Sequence, residues 1–389
     1  MKSTRKRVML LVATRKGLFI LHADAARRKW RVEGDVPHFY GQIVNHAVRH
    51  PQTGTLVVAA RAGHLGPSVF RSIDAGKTWQ ESTSPPAFPP RPNAKSAANA
   101  DAKPAYGWTV NHVFWITPGH ASEPSVWYAG TSPHGFFRSD DDGVTWKSVD
   151  GFNLHVDRLK WLGGDQEAPP DGAIVHSINV DAHDAKHLMV GMSCGGVFES
   201  YDRGVTWAPL NRGISADFLP DPNALYGHDP HCVRMHASAP EVVYQQNHCG
   251  IYRLERAQNH WTRIGDNMPR EIGDIGFPLV SHPRDPRALW VFPMDGGTVW
   301  PRVSLQGKPA VYHSRDAGAT WQRQDRGLPA AQGWFTVKRQ AMTVDAQAAV
   351  GVYFGTTSGE VWASFDEGND WQCLMLHLPQ ILAIEAYSV

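Results

Sequence analysis

The pattern Ser-x-Asp-x-Gly-x-Thr-Trp occurs four times intact, at Ser72–Trp79, Ser139–Trp146, Ser200–Trp207 and Ser314–Trp321. A fifth copy, Ser364–Trp371, carries Asp370 in place of the threonine. Two weaker copies keep only the frame: Gly17-Leu18-Phe19 leading to Trp30, and Gly250-Ile251-Tyr252 leading to Trp261. The seven tryptophans are spaced 49, 67, 61, 54, 60 and 50 residues apart. Self-similarity at such a period is the mark of a fold that copies one supersecondary unit.

Each octad follows a short apolar segment such as Val69-Phe70, Phe136-Phe137 or Val197-Phe198. Within it, the Asp carboxylate can accept backbone N–H groups and the Gly can take φ > 0, which together make a tight turn. Thr-Trp then opens the next strand and buries its indole. The octad thus reads as a hairpin staple, not as an active site.

Each unit has room for four short strands, shown by the second: Ile43 to Arg49, Thr55 to Ala60, Ser68 to Arg71 and Thr78 to Glu81. Four strands per repeat define a β-propeller blade. The fold class expected is all-β, a seven-bladed β-propeller over 1–389. Its blades span approximately 8–34 plus 381–387, 42–82, 108–150, 173–210, 228–265, 275–325 and 334–376. The N-terminus supplies Val8–Thr14, Gly17–Leu21 and Trp30–Val32 but no innermost strand. The alternating segment Ile381–Tyr387 is left over at the other end and should close the first blade.

The octad resembles the Asp-box, or BNR repeat, of sialidases, of the sortilin ectodomain and of Ycf48-type assembly factors. Over essentially its whole length the chain is similar to bacterial BNR-repeat proteins called sialidase-like or glycosyl-hydrolase-like. The segments that carry this are Gly227–Cys232, Gln245–Gly250, His282–Pro286, Arg339–Met342 and Tyr353–Gly359. The resemblance implies the propeller fold and a glycosidase or binding role. A sialidase would also bring an early Arg-Ile-Pro segment and three substrate-holding arginines; Thr14-Arg15-Lys16-Gly17 is not such a segment.

Lys and Arg number 38 against 37 Asp and Glu, a formal charge of +1, which argues against nucleic-acid or membrane-surface partners. The apolar stretch Val8–Ala13 is too short for a secretory core and reads as a strand. Cys194, Cys232, Cys249 and Cys373 show no disulfide framework, so a cytoplasmic location is expected.

Histidine is abundant, at 20 residues. In a propeller blade, the turn between the second and third strands and the start of the first strand open on one face. The turns here read Arg61–His64, Ser132–Gly135, Ser193–Gly196, Asn247–Gly250, Met294–Gly297 and Thr356–Gly359. The first-strand starts include Val44-Asn45-His46, Val110-Asn111-His112, Val175-His176-Ser177, Pro230-His231-Cys232, Gly276-Phe277-Pro278 and Lys338-Arg339-Gln340. His176, His231, His248 and Asp229 are the candidate catalytic residues, with Asp229 orienting a histidine. His46, His112, His134, Arg339 and Gln340 are candidate substrate-binding residues. His176, His231 and His248 are also candidate ligands of a divalent metal such as zinc, which favours imidazole and thiolate donors. Equally open is a metal-free polar mouth in which these groups satisfy one another. His50, His236 and His282 sit at the opposite strand ends and read as turn residues.

The function expected is an enzyme acting on a small polar or sugar-like substrate at this mouth, a hydrolase or lyase with or without a metal. A non-catalytic binding or assembly propeller, with a protein partner, is the alternative. A sialidase-like glycosidase is a third reading; it needs two carboxylates about 5–10 Å apart, with Asp157, Asp171, Asp229, Glu271 and Asp274 as candidates. The Pro/Ala/Asn/Ser-rich stretch 82–105 reads as a lid or an insertion between blades.

Overall fold

The computed structural model describes residues 7–90, 107–162, 173–296 and 302–389. The first blade supplies β1 (Val8–Thr14), β2 (Gly17–Ala23) and β3 (Trp30–Val32). The second supplies β4 (Ile43–Arg49), β5 (Leu56–Ala62), β6 (Gly66–Ser72) and β7 (Gln80–Glu81), and the third β8 (His112–Pro118), β9 (Trp127–Ser132), β10 (Gly135–Ser139) and β11 (Lys147–Ser148). Two single-turn helices follow, α1 (Asp150–Asn153) and α2 (Arg158–Trp161). The fourth blade holds β12 (Val175–Val180), β13 (Leu188–Met192), β14 (Gly196–Ser200) and β15 (Ala208–Pro209). The fifth holds β16 (Pro230–His236), β17 (Ala239–Asn247), β18 (Gly250–Glu255) and β19 (His260–Arg263). The sixth holds β20 (Gly276–Ser281), β21 (Leu289–Pro293), β22 (Val311–Ser314) and β23 (Gln322–Gln324). The seventh holds β24 (Met342–Val344), β25 (Val352–Gly355), β26 (Val361–Ser364) and β27 (Gln372–Met375), after which β28 (Ile381–Ser388) ends the chain.

These strands form seven four-stranded sheets, six in simple sequence order and one ordered β28-β1-β2-β3. The fold is a seven-bladed β-propeller. As the leftover C-terminal segment suggests, β28 completes the first blade, with Val12 opposite Ile384 and Leu11 opposite Glu385. No helix among the described residues is long and apolar enough to cross a membrane.

Burial follows strand position within a blade. The second strands β1, β9, β13 and β21 are buried at every residue, which explains their near-continuous apolar sequence. The outermost strands β7 and β11 are two residues long and largely exposed, a length that offers little edge for mispairing. Gly130 on β9 shows why a side chain is excluded at one such position: a Cβ there would lie 2.2 Å from the Val175 carbonyl oxygen on β12.

By compactness the chain divides into two units. The first comprises residues 1–47, 236–253 and 262–389, with a core that includes Leu10, Trp290, Phe292, Phe354 and Trp371. The second comprises 48–235 and 254–261, with a core around Phe136, Phe152, Trp161, Phe198 and Trp207.

The octads build one turn five times over. Ser72 Oγ donates to Asp74 Oδ1 at 2.7 Å and accepts the Gly76 N–H at 2.8 Å. Asp74 in turn accepts the Thr78 N–H at 3.0 Å and the Thr78 hydroxyl at 2.6 Å. The hydroxyl bond holds the Asp74 carboxyl well below the usual range. The same bonds recur around Ser139, Ser200 and Ser314. At Ser364 the hydroxyl bond is missing, because Asp370 replaces the threonine and pairs with Arg326 instead. Two residues per turn take positive φ: Asp142 at 60° precedes Gly143 at 85°. The indoles differ from expectation. Trp146, Trp207, Trp261 and Trp371 are buried, whereas Trp30, Trp79 and Trp321 are only half-buried.

Of the stretch 82–105, residues 91–105 lie outside the described residues. Ser84 makes a parallel bridge with Thr145, and Phe88 packs edge-on against Phe137. The beginning of that stretch is thus part of the third blade's packing.

Candidate functional site

In the second unit, Asp229 precedes β16 and His231 is its second residue. The Asp229 Oδ2 lies 3.4 Å from His231 Nε2, and both side chains are buried. The Cys194 N–H points to Asp229 Oδ1 at 3.4 Å. Cys194 takes φ 56°, a strained left-handed value for a residue with a side chain. The Asp229 strand end is held by the neighbouring chain: His228 bridges Gly195, and the Gly227 N–H binds the Gly195 oxygen at 3.0 Å.

His176, the second residue of β12, is fully buried. Its Nδ1 lies 2.7 Å from Ser177 Oγ, which also accepts the Val233 N–H at 3.0 Å. His134 is also buried; its Nε2 donates to the Ser193 oxygen at 2.7 Å, and burial pushes its pKa down to about 3. His112 opens β8 half-buried, its ring 5.9 Å from that of Phe114. His46, by contrast, is the fourth residue of β4. Asp157 pairs with Lys160 at the surface, and Asp171 lies outside the described residues.

On the first strands of the first unit, His46 and Glu385 form a further carboxylate–imidazole pair. His46 Nε2 is 3.3 Å from Glu385 Oε1; the imidazole is buried and the carboxylate about one-fifth exposed, at 22%. Glu385 owes its position to β28, and its direction was not readable from sequence. Arg339 and Gln340 are buried. They do not begin a strand as expected: Lys338 O accepts the Ala341 N–H in a turn, and β24 starts only at Met342. Gln340 bridges Ala383, its oxygen accepting the Ile384 N–H at 2.9 Å, while Arg339 lies 5.8 Å over the Phe277 ring.

His248 sits in the turn between β17 and β18, where Arg302 Nη2 approaches its Nε2 at 3.4 Å. Arg302 is a residue the sequence reading missed. It also donates to the Asp295 and Gly296 oxygens at 3.2 and 2.9 Å. The missed signal was spacing. Each intact octad directly follows its third strand, so the sixth blade's third strand had to end at Ser314, and Met294–Gly297 could not be a tight hairpin turn. The connection in fact runs over 294–310. Asp274 is engaged by Arg263 through two bonds of 2.9 Å.

Four of the 20 histidines have one recurrent structural use. At the far end of the first strands, His50, His120, His236 and His282 each accept through Nδ1 the N–H two residues ahead, at 3.1–3.3 Å. Asp181 and Asp345 do the same with a carboxylate oxygen.

No family model matches the chain. A xyloglucanase from Paenibacillus sp is 22% identical over 317 residues, covering 75% of this chain and 26% of that protein. Among solved structures, the GH74 xyloglucanase of Xanthomonas campestris superposes with a TM-score of 0.58 at 17% identity, over 98% of this chain and 52% of that one. A GH74 enzyme from Niastella koreensis gives 0.52 at 13% identity, over 96% and 65%. The chain thus spans about a quarter of the curated relative and half to two-thirds of these structures. The likeness to these structures is one of fold, that of a seven-bladed β-propeller.

Proposed function

We propose that this chain acts on a carbohydrate as a glycoside hydrolase, with the Asp229–His231 pair as its acid–base centre. The observation that carries this reading is a buried carboxylate 3.4 Å from an imidazole at a first-strand start. Its setting, in a chain similar in sequence to a xyloglucanase, adds support. Hydrolysis of a glycosidic bond needs one group to protonate the leaving oxygen and another to take a proton from the attacking water. A carboxylate that shares a hydrogen with an imidazole can do either, because the proton it gives or takes passes to a partner in contact. Glu385 and His46 offer the same chemistry in the first unit. Exposed aromatic side chains there, Tyr40 at 75% and Trp334 at 53%, suit stacking on sugar rings.

The test is hydrolysis of a panel of soluble glycans, xyloglucan among them, by the whole chain. Asp229→Asn should cut the rate by about a hundredfold or more without lowering the melting temperature. Glycans bound but not hydrolysed would turn the reading to a binding propeller. Glycans neither bound nor hydrolysed would overturn it.

A divalent metal is the second reading. A buried carboxylate oxygen and an imidazole nitrogen, from Asp229 and His231, form a donor pair suited to zinc or a similar ion. His176, buried in the same unit, is the further ligand this reading would use. Elemental analysis of untagged protein decides: stoichiometric metal, lost in His231→Ala and kept in His282→Ala, supports it, and metal-free active protein ends it.

A further inference from the structure

The second and third strands of the described blades are joined by two to five residues, except in the sixth, where 294–310 intervene. An insertion in one copy of a repeat is where a specific site is built. Its last part is held by backbone and ring contacts. Leu305–Gly307 forms a 3-10 turn with Gln306 at φ 52° and Gly307 at φ 65°. The Gly333 N–H binds the Gly307 oxygen at 2.8 Å, and the Trp334 ring lies where a Cβ on Gly307 would be 3.0 Å away.

Beside this turn, within the first unit, is a half-open pocket of about 190 Å³. That is room for one small molecule. Its lining divides by chemistry: Glu271 is an acid, Lys308 and Arg323 are cations, and Ile272, Leu305 and Ala310 are apolar. Arg323 is held in place by Asp325 at 2.7 Å and by the Tyr312 hydroxyl at 3.3 Å. A ligand that satisfies all three groups carries an ammonium, a carboxylate and a short hydrocarbon body.

We propose that this cavity binds a free α-amino acid with an aliphatic side chain. The ammonium meets Glu271, the carboxylate meets Lys308 and Arg323, and the side chain lies against Ile272, Leu305 and Ala310. The inference stands on the cavity alone and is independent of the glycosidase reading.

Titration calorimetry with leucine tests it, alongside leucinamide, which lacks the carboxylate, and 4-methylpentanoate, which lacks the ammonium. Leucine should bind, and each analogue should bind at least about tenfold more weakly. Glu271→Gln should weaken leucine by about tenfold and leave 4-methylpentanoate unchanged; Lys308→Gln should weaken leucine and leave leucinamide unchanged. Both residues are exposed, so neither change threatens folding, which a melting curve verifies. Absence of leucine binding at millimolar concentration, or leucine binding indifferent to both variants, overturns the proposal. Glucose binding there in place of leucine would also overturn it.

Discussion

Arg158 donates a hydrogen bond from Nη2 to the main-chain oxygen of His134, and both side chains are buried. The guanidinium also donates to the Phe152 oxygen at 3.2 Å and lies over the Phe152 and Trp108 rings at 4.8 and 5.9 Å. Burial pushes its pKa down to about 9. Among the described residues it has no ion pair with a carboxylate. A buried charge of this kind costs several kcal/mol to desolvate, so an apolar replacement of similar length loses little. Arg158→Met should stay within about 2 kcal/mol of the parent in denaturant unfolding, whereas Arg158→Ala, which also leaves a cavity, should lose about 3 kcal/mol or more. Equal large losses for both would show that the charge itself is stabilising.

The octad turns predict a second result. Ser139 Oγ receives the buried Gly143 N–H at 2.9 Å and donates to Asp141 at 2.9 Å. Ser139→Ala leaves that N–H without its acceptor and should cost about 1–3 kcal/mol. Activity per folded molecule should survive, since this turn lies at the other end of the blade from the first-strand starts. Activity lost at an unchanged melting temperature would contradict that placement.

Acid should destabilise the protein through two histidines. Burial drives both His134 and His313 down to about 3, while the unfolded chain protonates them near 6.5. Between these values the unfolded state binds more protons, so stability falls as pH drops from about 6.5 towards 3. Each imidazole contributes up to about 1.4 kcal/mol per pH unit. His313 stacks on Trp290 at 4.3 Å, so His313→Phe preserves the packing and should flatten the slope by one proton. An unaltered slope in unfolding experiments at pH 6, 5 and 4 would refute the assignment.

His187 works in the opposite sense. Its ring nitrogens reach Glu199 and Asp181 at 2.7 Å each, and Arg256 meets the same Glu199 at 2.8 Å. Burial alone would lower the His187 pKa, but the bonds to the two carboxylates outweigh it and hold it raised. The stabilisation is therefore complete below the ordinary imidazole pKa and is lost as pH rises through the raised folded value. His187→Gln should cost about 3 kcal/mol at pH 6 and clearly less at pH 9. A cost that does not vary with pH would mean the imidazole is neutral throughout.

The blade count and the closing strand were legible because the octad marks one fixed place in each unit, so Trp30 and Trp261 could be placed even where the acidic turn had decayed. Side-chain direction was not. Glu385 and His46 are 339 positions apart in the chain, and their pairing depends on which face of β28 the glutamate occupies. The turn histidines were legible: His50, His236 and His282, joined by His120, are used by the backbone at strand ends, a local demand that strand position reveals. Arg302 was hidden because a Gly-Gly pair imitates a hairpin turn, although the octad downstream already set the true end of the loop.

The pairing of β28 with β1 gives the chain an awkward biosynthesis. Val8–Thr14, seven apolar or nearly apolar residues, leaves the ribosome about 370 residues ahead of its partner Ile381–Ser388. At ordinary elongation rates that is a wait of about 20 to 75 seconds. Throughout this interval one edge of β1 has no native strand to receive it, and every nascent copy on a polysome shows its neighbours the same sticky strand. The blade that is begun before the other six is completed only after all of them.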